Sequence, residues 1–417
     1  MKNLKKVMAM LLAGALVLGS FVGCGNSGKD TGSQGQTQDQ TQSGDDEDDG
    51  NGQEPAGGEE APSAEVKKHK IGVAHYTDAG KGVEALKAYC EGISETIGCE
   101  FVFTTLSTYD EATNLTEIQN LISSGCEGII MTADMGTTAI VKECEAAGVY
   151  LAGFLCDYLQ SDMTAHDDVF GSEYFLGSVS DGYLDPAPYG EQVAEAVIAG
   201  GYKNIGLITF PAFAYPKQAD VIASFQAKID EYNETVAEAD KITTVDAIEL
   251  NFAPLEDTYF SEHPDLDCIF SVAAGAGNVY PVMVANNKTD IKLYTTGFEG
   301  TDDTDNFGSA GNQCYQGIMC STPEAIAYPL CLLIDKLNGT VYSDLPKTEV
   351  IACSPMIMLS DADMETVVNN SIYYSADYSK ALITGEDIVN MCASYNPDAT
   401  YAGLVDAMNH LGVDDLK

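Results

Sequence analysis

The chain has 417 residues, 45% of them apolar, and a formal net charge of −44 at pH 7. That length accommodates two domains with a sizeable core, and the charge excludes nucleic acid and bare anionic lipid as partners, because both repel a polyanion. All 20 basic residues are lysine, so no bidentate arginine clamp on a phosphate or carboxylate is available.

Lys2, Lys5 and Lys6 precede an apolar run over 7–18, and Phe21-Val22-Gly23-Cys24 follows. The stretch 1–23 reads as a secretory signal peptide, too short for a spanning helix. Small residues before the cysteine resemble a bacterial lipobox, which implies lipidation of Cys24 and stable anchoring at the extracytoplasmic face of the cell membrane. Residues 24–66 are Gly, Ser, Gln, Thr, Asp and Glu with almost no apolar side chain. They cannot bury enough surface to fold and form a disordered acidic tether. The 12 cysteines include no C-x-x-C pair, and Cys90, Cys126, Cys144, Cys268 and Cys331 each sit in an apolar run. They read as small hydrophobes, with Cys314 and Cys320 the one close pair to test for a bridge. The five histidines never fall at metal-ligand spacing, and neither a metal nor a cofactor is expected.

The folded part opens with an apolar strand over 71–76, and Val83, Leu86, Cys90, Ile93 and Ile97 then recur at helical spacing. Strands over 101–106, 128–131 and 149–155 alternate with helices marked by Ala112, Leu115, Ile118 and Ile122, and by Ile140, Val141 and Cys144. Gly148 suits the position after the last of these helices. The stretch 169–172 reads as short and extended. A helix over 189–199, strands over 204–210, 267–272 and 291–296, a helix carrying Val221, Phe225, Ile229 and Tyr232, and a helix over 278–285 complete a second unit. Alternating β and α predicts an α/β protein with two doubly wound parallel-sheet lobes and a ligand cleft between them. Beyond 359, Ile383, Ile388, Val389, Met391 and Cys392 mark one further helix, and Leu404, Val405, Met408 and Leu411 another.

Three stretches resemble the type I periplasmic binding proteins, in particular the branch that binds ribose and galactose. These are Gly125-Cys126-Glu127-Gly128-Ile129-Ile130-Met131-Thr132-Ala133-Asp134, Val169-Phe170-Gly171-Ser172-Glu173-Tyr174-Phe175-Leu176-Gly177, and Thr296-Gly297-Phe298-Glu299-Gly300-Thr301, where the family usually has Gly-Phe-Asp-Gly. The resemblance implies a first lobe of 69–172 plus 321–352, a second of 173–320 plus 353–375, and a C-terminal helical extension over 376–417. It also implies three hinge crossovers, near 171–173, 320–323 and 352–355. The family's aromatics after the first strand correspond to Lys81 and Gly82, and its arginines to Asp157 and the region 217–225. Its glutamine before Pro323 corresponds to about Ser321.

Polar groups at strand ends and nearby aromatic faces make up the candidate ligand site: His75, Tyr76, Asp78, Asp134, Asp157, Glu173, Tyr174, Phe213, Tyr215, Asn278 and Glu299. Asp134 has a second reading as the cap of the helix that follows it, and Glu299 as a loop or helix N-terminal carboxylate. Several carboxylates without arginine favour a neutral polyol or a cation over an anion. Gly275-Ala276-Gly277 lacks the third glycine of a dinucleotide loop. The run 303–308 places Phe307 where a calcium ligand belongs, and no nucleophile and base share a recognisable spacing. The expectation is therefore binding rather than catalysis. The leading reading is an extracytoplasmic solute-binding lipoprotein that hands a small polar solute, most readily a sugar or sugar derivative, to an ABC permease. A sensor input module, or a binder of a nucleoside, amine or amino acid, is the alternative.

Overall fold

A computed structural model of the protein describes residues 66–107, 110–158, 165–212, 215–251, 253–273, 275–296, 306–308 and 313–417. The expected signal peptide, Cys24, the expected tether as far as residue 65, Phe213 and Glu299 lie outside them. From the first described segment the chain runs β1 (His69–His75), α1 (Lys81–Ile97), β2 (Cys99–Thr105), α2 (Glu111–Ser123), β3 (Gly128–Met131), α3 (Thr137–Ala147) and β4 (Tyr150–Phe154). Helices α1 and α3 bury the stripes their sequences mark, Val83, Leu86, Cys90, Ile93 and Ile97 on the first and Ile140, Val141 and Cys144 on the second, whereas α2 buries Asn114, Ile118 and Leu121 and leaves Ala112 exposed. Gly148 ends α3 at φ 72°, a conformation that costs glycine little.

Next come α4 (His166–Phe170) and β5 (Phe175–Val179). Here the structure corrects the sequence reading. Val169 and Phe170 are helical rather than extended, because Val169 buries in the first-lobe core and Phe170 stacks on His166 one turn back, with ring centroids 4.2 Å apart. The extended segment is Phe175–Val179, and it pairs with β4 in the first sheet. The first crossover is therefore the stretch 180–186, beyond the expected 171–173.

The second lobe contains α5 (Ala187–Gly200), β6 (Asn204–Thr209), α6 (Gln218–Thr235), β7 (Thr243–Thr244), β8 (Ile248–Glu249), α7 (Tyr259–Glu262), β9 (Cys268–Ser271), α8 (Tyr280–Ala285), β10 (Lys292–Thr296) and β11 (Tyr315–Cys320). A wide helical turn over Gly275–Val279 precedes α8, so the helical backbone starts earlier than residue 278. Helix α9 (Ala327–Leu337) and β12 (Val350–Ile351) return to the first lobe, and β13 (Met356–Met358) to the second. Among the described residues the first sheet has six strands in the order β12-β5-β4-β3-β1-β2, all parallel. The second has seven described strands, in the order β13-β11-β10-β9-β6-β7 with β8 also on β6, and among these only β13 is antiparallel.

The chain closes with α10 (Asp361–Asn370), α11 (Ile372–Ser375), α12 (Gly385–Met391) and α13 (Tyr401–Met408). Ile383, Ile388, Cys392, Leu404, Met408 and Leu411 join the core of the first lobe, whereas Val413 and Leu416 pack into that of the second. The extension thus belongs to both lobes. Cys314 and Cys320 are free and buried at opposite ends of β11. Six extended backbone steps separate them by roughly 20 Å, which no disulfide can span.

Candidate functional site

In a parallel sheet every strand points the same way, so the loops at the carboxyl ends share one rim. The chain leaves β5 and β11 at those ends to cross between lobes, and the carboxyl rims of the two sheets therefore meet at the crossovers. These segments are laced together. The Ser321 hydroxyl donates to the Asp181 carboxylate, Cys353 Sγ lies 3.3 Å from the Ser180 carbonyl, and Cys353 N donates to the Gly182 carbonyl at 3.2 Å.

Asp157 enters this floor from the loop after β4. Leu155 and Tyr158, on either side of it, adopt φ 54° and 49°, the left-handed region that non-glycine residues rarely occupy. Two contacts over-determine that strained turn: the Tyr158 hydroxyl donates to Met131 O at 2.8 Å and the Ser178 hydroxyl to Cys156 O at 2.5 Å. Lys217 enters from the second lobe at the start of α6. Its loop is held by the Gln218 amide, which accepts from Phe210 N at 2.7 Å and donates to Phe210 O.

The two side chains form an ion pair across the lobes, Lys217 Nζ to Asp157 Oδ2 at 2.9 Å, with only 9% and 12% of the side chains exposed. Lys217 also donates to Ser180 Oγ at 2.5 Å and to Tyr183 O at 2.8 Å, which uses all three ammonium hydrogens. Asp157 Oδ1 is buried and has no hydrogen-bond partner among the described residues. Asp181 is exposed beside this pair. Desolvation pushes its carboxyl above the ordinary value, against the opposing pull of Ser321 and Lys217. Tyr215 leans on the same cluster, its hydroxyl pushed up by burial and by the Asp181 and Asp157 charges. The floor therefore offers acceptors to a ligand, while its one ammonium is already satisfied.

The remaining sequence candidates divide. His75 is buried at the end of β1, with Nδ1 2.9 Å from Thr77 O and Tyr76, 51% exposed, stacked on its ring at 4.4 Å. Burial lowers the His75 pKa to about 4, so the ring is neutral near pH 7. Asp78 is exposed on the following loop. Asp134, half-buried after β3, accepts from the Thr137 hydroxyl at 2.8 Å, close to its alternative role beside α3. Asn278 holds Ala253 O at 3.2 Å from the wide turn after β9. Glu173 and Tyr174 are corrections: they precede β5 and so lie at the amino end of the first sheet, away from the crossovers, with Tyr174 stacked on Tyr150 at 5.2 Å. Ser180, Asp181 and Tyr183 are not among the sequence candidates. Placing the first crossover at 171–173 hides them, although a polar pair directly after a buried strand is the signal that could find them. Among the described residues no group of three His, Cys, Asp or Glu side chains is arranged to hold a metal ion.

No protein-family model matches the chain, and no curated protein does. Solved structures do. An ABC transporter solute-binding protein from Agrobacterium vitis, bound with α-D-tagatopyranose, aligns with TM-score 0.54 at 13% identity over 73% of this chain and 98% of its own. A second protein from that organism, with bound allitol, aligns with TM-score 0.51 at 15% identity, covering 73% and 99%. A sugar ABC transport substrate-binding protein from Bordetella parapertussis aligns with TM-score 0.55 at 11% identity, covering 76% and 97%. The two parallel-sheet lobes of this chain have the fold of these periplasmic binding proteins of type I.

Proposed function

We propose that the protein is the extracytoplasmic solute-binding component of an ABC importer and captures a sugar or related polyol between its lobes. The observation that carries this reading is Asp157 Oδ1, a buried acceptor without a partner among the described residues, on a floor assembled from both lobes. Leaving such an acceptor unpaired costs about 1–3 kcal/mol, and a ligand hydroxyl removes that cost. Polyhydroxylated ligands suit a site rich in carboxylates whose single ammonium is consumed internally. The tagatopyranose and allitol named for two neighbours of the same fold support the class without fixing the member. In this reading Glu299 adds an acceptor from the second lobe, His75 and Tyr76 line the first, and Cys24 anchors the chain through its tether to the membrane that holds the permease.

The test is a thermal-shift screen over sugars, polyols, nucleosides and amines, followed by calorimetry. A binding sugar or polyol raises apparent stability by mass action and is recovered chemically unchanged after prolonged incubation. Stabilisation by nucleosides or amines alone, or turnover of the bound solute, overturns the reading.

A further inference from the structure

A cavity of about 310 Å³ lies at the opposite end of β5 from the cleft, bounded by the amino end of that strand, by α9 and by the loop over 338–349, with Tyr401 of α13 in its wall. That volume is at the lower end of the range for small-molecule sites. Leu176, Leu332, Val341 and Leu345 give it an apolar lining. Val341 and Leu345 are 54% and 40% exposed, two of five large apolar side chains left so open among the described residues. Both therefore present apolar surface at the same concavity.

Charge around the cavity is specific. The Asp335 carboxylate is occupied, accepting from Ala393 N and Ser394 N at 2.8 Å each. Lys336 Nζ stands over the Tyr150 ring, 5.4 Å from its centroid. Glu349 accepts the Tyr401 hydroxyl on Oε1 at 2.8 Å, and the Tyr401 hydroxyl also meets that of Tyr328 at 2.9 Å. Glu349 Oε2, Glu173 and Lys347 line the same cavity and make no ion pair among the described residues. With Asp335 held by its backbone donors and Lys336 over the Tyr150 ring, the carboxylates of Glu173 and Glu349 and the ammonium of Lys347 beside an apolar wall match a molecule that carries both charges on a small head and an aliphatic body behind it. A neutral sugar would leave the apolar wall facing hydroxyls.

We propose that this cavity is a second ligand site, for a small zwitterion with an apolar body, the class of an aliphatic amino acid. Its ammonium faces Glu173 and Glu349, its carboxylate faces Lys347, and its side chain covers Val341 and Leu345. The site shares no residue with the crossover floor, so its occupancy is read independently of the cleft.

The experiment is isothermal titration of the full chain with L-leucine, with isoamylamine, which lacks the carboxylate, and with 4-methylpentanoate, which lacks the ammonium. The expected result is one-to-one binding of leucine, about tenfold or more tighter than either analogue. Leu345→Glu abolishes it, Glu349→Gln weakens it about tenfold, and Asp157→Asn in the cleft leaves it unchanged. Leu345 is exposed, so its variant keeps the fold, which an unaltered thermal melt confirms; should the melt change, Glu349→Gln tests the same site. Absence of leucine binding, equal affinity for isoamylamine, or binding that survives Leu345→Glu and is lost in Asp157→Asn overturns the proposal.

Discussion

Asp157 holds its two carboxylate oxygens in different states, one paired with Lys217 at 2.9 Å and the other buried without a partner among the described residues. Removing the ammonium strands a mostly buried charge. Lys217→Met is therefore expected to lower unfolding free energy by about 3 kcal/mol, measured by denaturant titration, whereas the double variant Lys217→Met with Asp157→Leu recovers most of that loss. A double variant as unstable as the single one would show that the ion pair is not the cause. Asp157→Asn keeps the shape and removes the charge, and on the proposed reading it weakens binding of the identified polyol by about ten- to a hundredfold. Unchanged calorimetric affinity would remove Asp157 from the ligand site.

Glu324 gives the residue scale its pH dependence. The second crossover delivers it to a site where it is 1% exposed, accepts from Leu382 N at 3.2 Å and from the Thr322 hydroxyl, and has a pKa raised to about 7 by burial. Its folded value exceeds its unfolded one, so between roughly pH 4.5 and 7 the unfolded state loses the proton first. This residue's stabilising contribution is thus full below about pH 4.5 and lost as pH rises to about 7, a span on the order of 3 kcal/mol. Glu324→Gln should flatten that part of the stability curve. A melt series from pH 4.5 to 8 with the same slope in both proteins would refute the assignment.

Among the elements, the C-terminal helices matter most to the balance between lobes. Leu404 and Ile388 are fully buried against the first-lobe core, Tyr89 donates its hydroxyl to Ile383 O at 2.8 Å, and Ser354 of the third crossover donates through N to Met408 O at 2.9 Å. Leu404→Ala should cost about 2–5 kcal/mol, and a tail that merely rested on the surface would show almost no loss by the same denaturant titration. The helices themselves are legible in the sequence, since their apolar spacing is local. Their docking is not, because α12 and α13 present apolar stripes that either lobe's surface could cover. The ambiguity of 169–172 has the same origin: a short apolar pair flanked by Gly171 fits a strand or a single helical turn, and burial of Val169 decides for the helix. Conversely Phe175–Val179 carries a glycine at φ 119° and a serine, which weaken a strand signal that pairing with β4 and β12 overrides.

At the scale of the whole molecule, ten of the eleven described cysteines are buried, and all eleven are free. Burial pushes thiols such as Cys99 and Cys144 up to about 12, leaving almost no thiolate at neutral pH. The buried thiols should therefore resist maleimide at pH 7.5 and all react in guanidinium; rapid stoichiometric labelling of the native protein, read by mass spectrometry, would contradict the packing. Two parallel sheets, the alternation of strand and helix and most buried stripes are readable from the chain, because hydrophobic periodicity is written within a dozen residues. The cluster at the crossovers is only half readable. Asp157 and Tyr215 stand out, yet Ser321 meets Asp181 across 140 positions, and Lys217 meets Ser180 across 37. Such contacts depend on where the chain crosses between sheets, which pairing over the whole sheet decides. The sequence by itself determined that two α/β lobes form and which faces they bury, through local periodicity and the cost of exposing apolar surface. Tertiary structure alone decided that Glu173 lies away from the crossovers, that Lys217 is already satisfied, and that one oxygen of Asp157 lacks a donor among the described residues, because hydrogen bonds between distant segments have no local signature.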